Sequence, residues 1–395
     1  MKQPVRKRIA EANGLQTGKT EYTLLVDGNN LLKISFVDKR MNDKGQEYGA
    51  VMTFLRKLGE VLKKKDFNYC IVSWDGLGSG IMRWKLYPDY KANRDKNYEA
   101  MAEAEGTTDY DAFINNYRKA ILANKKKKET VRKETEDESF KRQKDIIQDI
   151  LEELCIRQYE FEDVEGDDIV SYYVKHKRPN EKVVIMSSDK DMTQLISDSV
   201  IIWNPRMSDF VTSKNSVEAL GITHENVVLE KILCGDTSDN IKGVKGLGEQ
   251  TLVKYFPEIK NQKTDLETVI RRSKELLEER KADKKKPLKV LENIVNGVTD
   301  GCQGDNLYEI NRKIIDLSEP LMTKEAIEYM DYSMYAPIDT DERNVKNVYN
   351  IVTKNRMYDL LDEKRFGDIL APYSRIIMME GRRYENNCKK CDLST

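Results

Sequence analysis

Three short apolar runs mark the first half of the chain, and each leads into an aspartate. Tyr22-Thr-Leu-Leu-Val-Asp27 opens into Gly28-Asn29-Asn30, Tyr69-Cys-Ile-Val-Ser-Trp-Asp75 into Gly76, and Val183-Val-Ile-Met-Ser-Ser into Asp189. Their apolarity is continuous rather than alternating, the pattern of strands covered on both faces, as in a parallel sheet. Helical periodicity fills residues 51–64 and 140–154. A further apolar stripe at Ile169, Tyr172, Tyr173 and His176 follows Glu165-Gly166-Asp167-Asp168 and predicts an amphipathic helix with acids in its first turn. Strands alternating with helices predict an α/β fold with a mainly parallel central sheet. In such sheets ligands bind beyond the carboxyl ends of the strands, where these aspartates fall.

The texture changes elsewhere. Residues 1–20 are polar and read as a tail. Residues 91–145 are charged and poor in β-branched side chains, which suits a helical insertion between the second strand and the helix that returns to the sheet. Past about residue 213 strong strand signals stop and helices with glycine turns take over; residues 283–287 form a charged break.

At 395 residues the chain is long enough for two or three domains. No apolar run approaches the ~18 residues of a membrane helix, and the basic start (Lys2, Arg6, Lys7, Arg8) has no apolar stretch behind it, so neither a membrane span nor a secretory signal is expected. Of the six cysteines only Cys388 and Cys391 form a C-x-x-C, and the chain has just two histidines, His176 and His224. That is too few ligands for a zinc site, so the cysteine pair reads as part of a solvated tail and the others as reduced thiols. Net charge is −1, but it is segregated: residues 118–133 hold eight bases and one acid, whereas six of the nine residues 160–168 are acidic.

The acids carry the chemistry. Asp in a strand-end turn is ordinary capping chemistry, and acids in a first helical turn are ordinary helix starters. Three carboxylates in the four residues 165–168, however, repel one another unless cations neutralise them. Ser188-Asp189-Lys190-Asp191 and Gly235-Asp236-Thr-Ser-Asp239-Asn240 add two further pairs. Hard cations such as Mg²⁺ take oxygen ligands, and two of them about 3.5–4 Å apart clamp the attacking and leaving oxygens of a phosphodiester. With the site acids set aside the remainder of the chain is net basic, as a phosphate-tracking surface requires. Immediately after the last acidic pair comes Ile241-Lys242-Gly243-Val244-Lys245-Gly246-Leu247-Gly248, a tight hairpin entering a helix, whose N–H groups can grip phosphate without reading bases.

In order and spacing, Asp27-Gly-Asn, Trp74-Asp75, Tyr90-Lys91-x-x-Arg94, Glu165-Gly-Asp167-Asp168, Ser188-Asp189-Lys-Asp191 and Gly235-Asp236-x-Ser-Asp239-Asn resemble the motifs of the 5′-nucleases. That family includes flap endonucleases and the 5′-exonuclease domain of bacterial DNA polymerase I. Residues 79–94, 187–195, Trp203-Asn-Pro205 and Lys231-Ile-Leu-x-Gly-Asp236 are most similar to the T-even bacteriophage ribonuclease H. The resemblance spans about residues 22–257. It implies a PIN-like nuclease domain over residues 21–235 with a helical arch at 91–145, a helix–hairpin–helix module over 236–300 and a helical C-terminal region over 301–395.

It further implies that Asp27, Asp75, Asp167 and Asp189 surround a first metal with Glu165 close by, that Asp191, Asp236 and Asp239 serve a second, and that Asp168 lies between the groups. Mg²⁺ is the expected ion, Mn²⁺ its substitute, with a monovalent cation such as K⁺ at the hairpin. Lys91 and Arg94 match the basic pair at the base of the arch. Lys242, Gly243, Lys245, Gly246 and Gly248 match the duplex-binding hairpin. Outside the resemblance, Lys125, Lys126, Lys127 and Lys128 offer phosphate contacts without base geometry. Gly166 stands where the family usually has alanine, and the lysine-rich arch is too long to align.

The expected activity is Mg²⁺-dependent hydrolysis of phosphodiesters from 5′ ends or flaps of branched, nicked or flapped DNA and of RNA–DNA hybrid, with RNA primer removal in a phage-infected bacterial cytoplasm. A monomer away from membranes is expected, and by analogy alone a single-strand binding protein or sliding clamp as protein partner. A non-catalytic branched-DNA scaffold on the same fold, or a PIN-type single-strand ribonuclease, stays open. Clustered acids facing phosphate speak against the first, and the duplex hairpin against the second.

Overall fold

Each of the three apolar runs is a strand. The computed structural model describes residues 20–92 and 134–392. From the start of that range run β1 (Glu21–Asp27), α1 (Gly28–Ser35), α2 (Gly49–Leu62), β2 (Tyr69–Asp75) and α3 (Ile81–Leu86). Beyond the insertion come α4 (Glu136–Glu153), β3 (Arg157–Phe161), α5 (Gly166–His176), β4 (Glu181–Met186), a 3₁₀ turn (Asp191–Leu195), β5 (Val200–Asn204) and β6 (Asp209–Val211). α4 begins four residues before the apolar periodicity does, because Thr135 and Glu138 close a capping box at its start.

The strand order is β3-β2-β1-β4-β5-β6, parallel except for the β5–β6 pair. β1 therefore has β2 on one side and β4 on the other, and the loops leaving β1, β2 and β4 all open on the same edge. That is the switch point at which open α/β sheets form their crevice. One face of the sheet is covered by a core that includes Leu24, Val26, Phe54, Trp74 and Ile147, the other by one that includes Leu25, Ile71, Tyr159, Val170 and Ile185.

The second half of the chain is helical: α6 (Ser216–Leu220), α7 (Val227–Cys234), the two-residue strands β7 (Gly235–Asp236) and β8 (Ile241–Lys242), α8 (Glu249–Tyr255), α9 (Leu266–Ala282) and α10 (Lys289–Asn296). The charged break at 283–287 separates α9 from α10. A third core joins Val227 and Leu233 to Val244, Leu247, Leu252, Phe256, Leu291 and Leu307. The helical module thus reaches back to α7 and forward past residue 300, so its packing does not stop at residues 236 and 300.

α11 (Leu307–Ile315), α12 (Lys324–Ser333), α13 (Val345–Lys354), α14 (Glu363–Leu370) and α15 (Ser374–Asp392) complete the chain. They form no separate body. Ala326, Met330 and Met334 belong to one sheet-face core, and Val348, Val352, Tyr373 and Ile376 to the other. Tyr373 and Arg383 dock on the body of the protein: the Tyr373 hydroxyl donates to the Leu55 carbonyl (2.7 Å), and Arg383 donates to the Asn68 carbonyl (2.8 Å) with its guanidinium 3.7 Å from the Tyr69 ring centre. These contacts draw α15 onto the α2–β2 connection. The side chains of Cys388 and Cys391, like residues 1–19, lie outside the described set.

Met330 is fully buried, and truncating such a side chain typically costs about 2–5 kcal/mol. Met330→Ala should therefore lower the denaturant midpoint of the whole six-stranded sheet, read by the fluorescence of Trp74 and Trp203, in one transition. Loss of the C-terminal helices in a separate, earlier transition would show that they are an appendage.

Candidate active site

Asp27 closes β1 and also caps α1. One carboxylate oxygen accepts from the Asn30 N–H (2.9 Å) and the other from the Ser187 hydroxyl (2.9 Å). Capping and a site role are thus compatible in one residue, since each oxygen keeps a second lone pair. Asp75 closes β2; it accepts from the Gly166 N–H (2.8 Å) and from the Asn29 side-chain amide. A Cβ at Gly166 would lie 3.3 Å from that Asp75 oxygen, so glycine lets the α5 N-terminus approach Asp75 closely. Asp167 stands in the first turn of α5. Asp189, three residues past β4, accepts from the Asp191 N–H (3.0 Å), and the Ser187 hydroxyl takes the Asp189 N–H (3.0 Å).

These four carboxylates feel one another. Burial, reinforced by the charges of Asp75 and Asp189, pushes Asp27 up to about 7. Burial raises Asp167 well above the usual carboxylate range, with Asp27, Asp189, Asp75 and Glu165 adding repulsion. Glu165 escapes this because two cations reach it. Arg83 contacts it at 2.6 Å and Lys91 pairs with its other oxygen, which against the penalty of burial brings it down to about 2. The Tyr90 hydroxyl donates to Glu165 (3.0 Å) and lies 3.3 Å from Asp239.

The second acidic group is built differently. Lys231, on α7, places its ammonium between Asp191 and Asp236, the latter at 2.5 Å. Asp236 also accepts from the Ser238 N–H (2.8 Å) and hydroxyl (2.7 Å), so it holds the Asx turn of its loop as well. Asp239 sits apart from that pair, toward Tyr90 and Lys91. Its carbonyl accepts the Lys91 N–H (2.8 Å), while the Asn240 amide donates to the Asp89 carbonyl (2.8 Å). The base of the insertion is therefore hydrogen-bonded directly to the loop that enters the hairpin.

Asp168 is a correction. It does not lie between two metal groups: it is fully buried, gripped by Arg83 through two contacts (2.5 and 2.9 Å), and accepts the Leu321 N–H (2.9 Å). As the neighbour of Asp167 on a helix it points about 100° away, into the protein. Arg83, Asn29, Asn30, Ser187 and Lys231 are the positioning residues whose roles spacing alone did not reveal, although they lie within or beside the motif segments. Arg94 and the run Lys125, Lys126, Lys127 and Lys128 fall outside the described residues.

In the hairpin, Lys242, Lys245, Gly246 and Gly248 are exposed, and Lys245 pairs with Asp300 (2.8 Å). Gly246 has φ +80, which glycine alone adopts without strain, and a Cβ on Gly243 would lie 2.2 Å from the Cys234 carbonyl carbon. Asn311 and Gln303 brace the turn from below, both donating to the Lys242 carbonyl (2.9 Å each).

The donor set suits a hard divalent ion: carboxylate oxygens, plus an Asn29 amide oxygen that is buried without a hydrogen-bond partner beside Asp75. Among the described residues no three His, Cys, Asp or Glu side chains are already drawn together as a metal cage.

A parallel sheet with carboxylates from several segments converging on its carboxyl edge, and a glycine-rich hairpin beside it, defines an α/β nuclease of the resolvase-like, PIN-like class. The chain belongs to the 5′-3′ exonuclease family, its residues 22–231 matching the 5′-3′ exonuclease N-terminal resolvase-like domain. It is 28% identical over 253 residues to DNA polymerase I of Bacillus subtilis, which covers 62% of this chain and 24% of that protein. It is 27% identical over 238 residues to a 5′-3′ exonuclease of Aquifex aeolicus, covering 60% and 68%. The chain thus spans about a quarter of the polymerase it matches. Zinc-bound T5 5′-exonuclease has the same fold, with a TM-score of 0.55 at 18% identity over 84% of this chain and 99% of that one. A T5 D15 flap endonuclease complexed with DNA and metal ions gives 0.51 at 18% identity, over 85% and 99%.

The raised Asp27 and Asp167 carboxyls fix a pH dependence. Between about pH 4 and about pH 7 the folded, metal-free protein holds on Asp27 a proton that the unfolded chain has released, so its stability falls as pH rises through that window, by up to about 1.4 kcal/mol per unit, and Asp167 acts in the same direction. Added Mg²⁺ should flatten the slope and release protons, seen as a buffer-dependent binding enthalpy. A metal-free stability that rises between those pH values would contradict the assignment.

Proposed function

We propose that the chain is a divalent-metal-dependent, structure-specific 5′-nuclease that hydrolyses phosphodiesters at 5′ ends and flaps, removing RNA primers during phage DNA replication in the infected bacterial cytoplasm. The observation that carries it is the convergence of Asp27, Asp75, Asp167 and Asp189, from four segments, at one sheet edge with Asp27 and Asp167 raised by burial and repulsion. Such an arrangement costs stability and serves a pure binder of polyanions badly. The likeness to a 5′-3′ exonuclease and to the fold of a flap endonuclease supports the same reading.

In this reading Asp27, Asp75, Asp167 and Asp189 hold a first Mg²⁺ and Asp191, Asp236 and Asp239 a second, with Mn²⁺ able to replace either. Bound there, the ions supply Lewis-acid stabilisation of the phosphoryl oxygens and ease deprotonation of the attacking water. The chain does the rest. Asn29 and the Gly166 N–H orient Asp75, and Ser187 bridges Asp27 and the Asp189 backbone. Lys91, which pairs with Glu165 in the absence of substrate, is the cation assigned to the scissile phosphate, with Arg94 from the same segment. Lys242 and Lys245 with the hairpin N–H groups hold duplex backbone, aided by a monovalent ion such as K⁺. Lys125, Lys126, Lys127 and Lys128 supply further phosphate contacts. Flapped, branched or nicked DNA and RNA–DNA hybrid are the substrates.

Asp75→Asn should abolish cleavage of a 5′-labelled flap in Mg²⁺ while leaving flap affinity equal or higher, because one negative charge facing phosphate is gone. Full turnover in a folded Asp75→Asn protein, or cleavage by wild type in chelator, would defeat the proposal. Lys91→Ala should reduce the single-turnover rate by ~10²–10³ with a much smaller change in affinity, as expected of a cation aimed at developing charge; a rate within twofold of wild type would leave Lys91 as a partner of Glu165 only.

A further inference from the structure

The two acidic groups are held by different means. At the first, neutral donors brace the carboxylates, the Asn30 N–H and Ser187 hydroxyl on Asp27 and the Gly166 N–H and Asn29 amide on Asp75. At the second, a cationic side chain does so. Lys231 leaves α7 one turn before the hairpin loop, is 11% exposed, and brings a single ammonium to Asp191 from the 3₁₀ turn and to Asp236 from β7. Neighbouring Lys190 is occupied elsewhere, with Glu230 at 2.6 Å and Glu249 at 3.7 Å. The Lys231 triad therefore carries two negative charges against one positive.

We infer that Lys231 is the resident cation of the second carboxylate group, and that a divalent ion enters there only by displacing its ammonium. The inference rests on the two-metal reading above and adds the residue that sets its metal requirement. A divalent ion and an ammonium cannot share two carboxylates at ion-pair distance without severe like-charge repulsion. Nor is Lys231 locked in the manner of Arg83. The Arg83 guanidinium is forked onto Asp168 and also bonds the Ile314 carbonyl (2.9 Å), whereas an ammonium on a flexible four-carbon stem can swing out. When it leaves, the Asp236 carboxylate keeps its Ser238 bonds and the Asp191 backbone keeps its N–H bond to Asp189, while the Asp191 carboxylate is freed to take another cation. The first group would then fill at lower metal concentration than the second.

The test is calorimetric Mg²⁺ titration of the DNA-free full-length protein, comparing wild type with Lys231→Met, Lys231→Arg, Asp236→Asn and the Lys231→Met/Asp236→Asn double variant. Met keeps the stem and drops the charge, so the weaker binding event should tighten by about tenfold or more, one ion-pair interaction in a partly buried site. Arg, able to fork onto both carboxylates, should weaken it. Metal-free Lys231→Met should also melt lower than wild type and recover on adding Mg²⁺. An unchanged or weaker second event in folded Lys231→Met overturns the inference; should that variant not fold without metal, an unchanged or tighter second event in Lys231→Arg overturns it instead. A second event that Asp236→Asn does not remove, in either background, would overturn the two-metal reading itself and this inference with it.

Discussion

Like charges gathered at the dry end of a sheet are the constraint on which this structure turns. Two unit charges 4 Å apart at an effective dielectric of about 20 repel by about 4 kcal/mol, and a whole domain is stable by only about 5–15 kcal/mol. Several carboxylates cannot be assembled in such a place unless their backbones are rigid and counter-charges arrive from elsewhere. The rigid part is the parallel ladder of β1 with β2 and β4, which fixes where Asp27, Asp75 and the Asp189 loop emerge.

The counter-charges tie distant regions to that ladder. Arg83 arrives from α3, satisfies Glu165 and Asp168, and bonds the Ile314 carbonyl at the end of α11. Asp168 accepts the Leu321 N–H, which fastens the chain beyond α11 to the first turn of α5. Lys91 joins the base of the insertion to Glu165, and its N–H joins it to the hairpin loop through Asp239. Tyr87, Tyr90, Ile241, Ile314 and Ile315 pack together beneath this junction. Acidic centre, insertion, hairpin and C-terminal helices therefore meet around the same few ion pairs. A change in one counter-charge is felt in all four.

Burying an Arg–carboxylate network has a cost that only good geometry offsets. Here the geometry is good: Arg83 is forked onto Asp168, whose carboxylate also accepts the Leu321 N–H. Lys231 is a looser arrangement, one point charge for two acids, and the contrast between a fixed guanidinium and a movable ammonium follows from their chemistry. Structural neutralisation uses the first kind and exchangeable neutralisation the second.

The sequence by itself determined the strands that matter most. β1, β2 and β4 are apolar on both faces because both faces are covered, so their continuous hydrophobicity showed, and the aspartates at their ends followed. The helices α2, α4 and α5 were legible from periodicity and the hairpin from its glycines. β3 and β6 were not, since a short edge strand such as Arg157–Phe161 buries little and reads as polar. The tertiary structure decided which of two adjacent acids faces the site: Asp167 and Asp168 have the same chemistry, but helical geometry turns one toward Asp27 and the other onto Arg83. It also decided that the C-terminal helices complete both sheet-face cores, and that Lys231 stands between Asp191 and Asp236. Pairings across long stretches of chain leave no local pattern, because each partner looks like an ordinary charged residue until folding brings the other within reach.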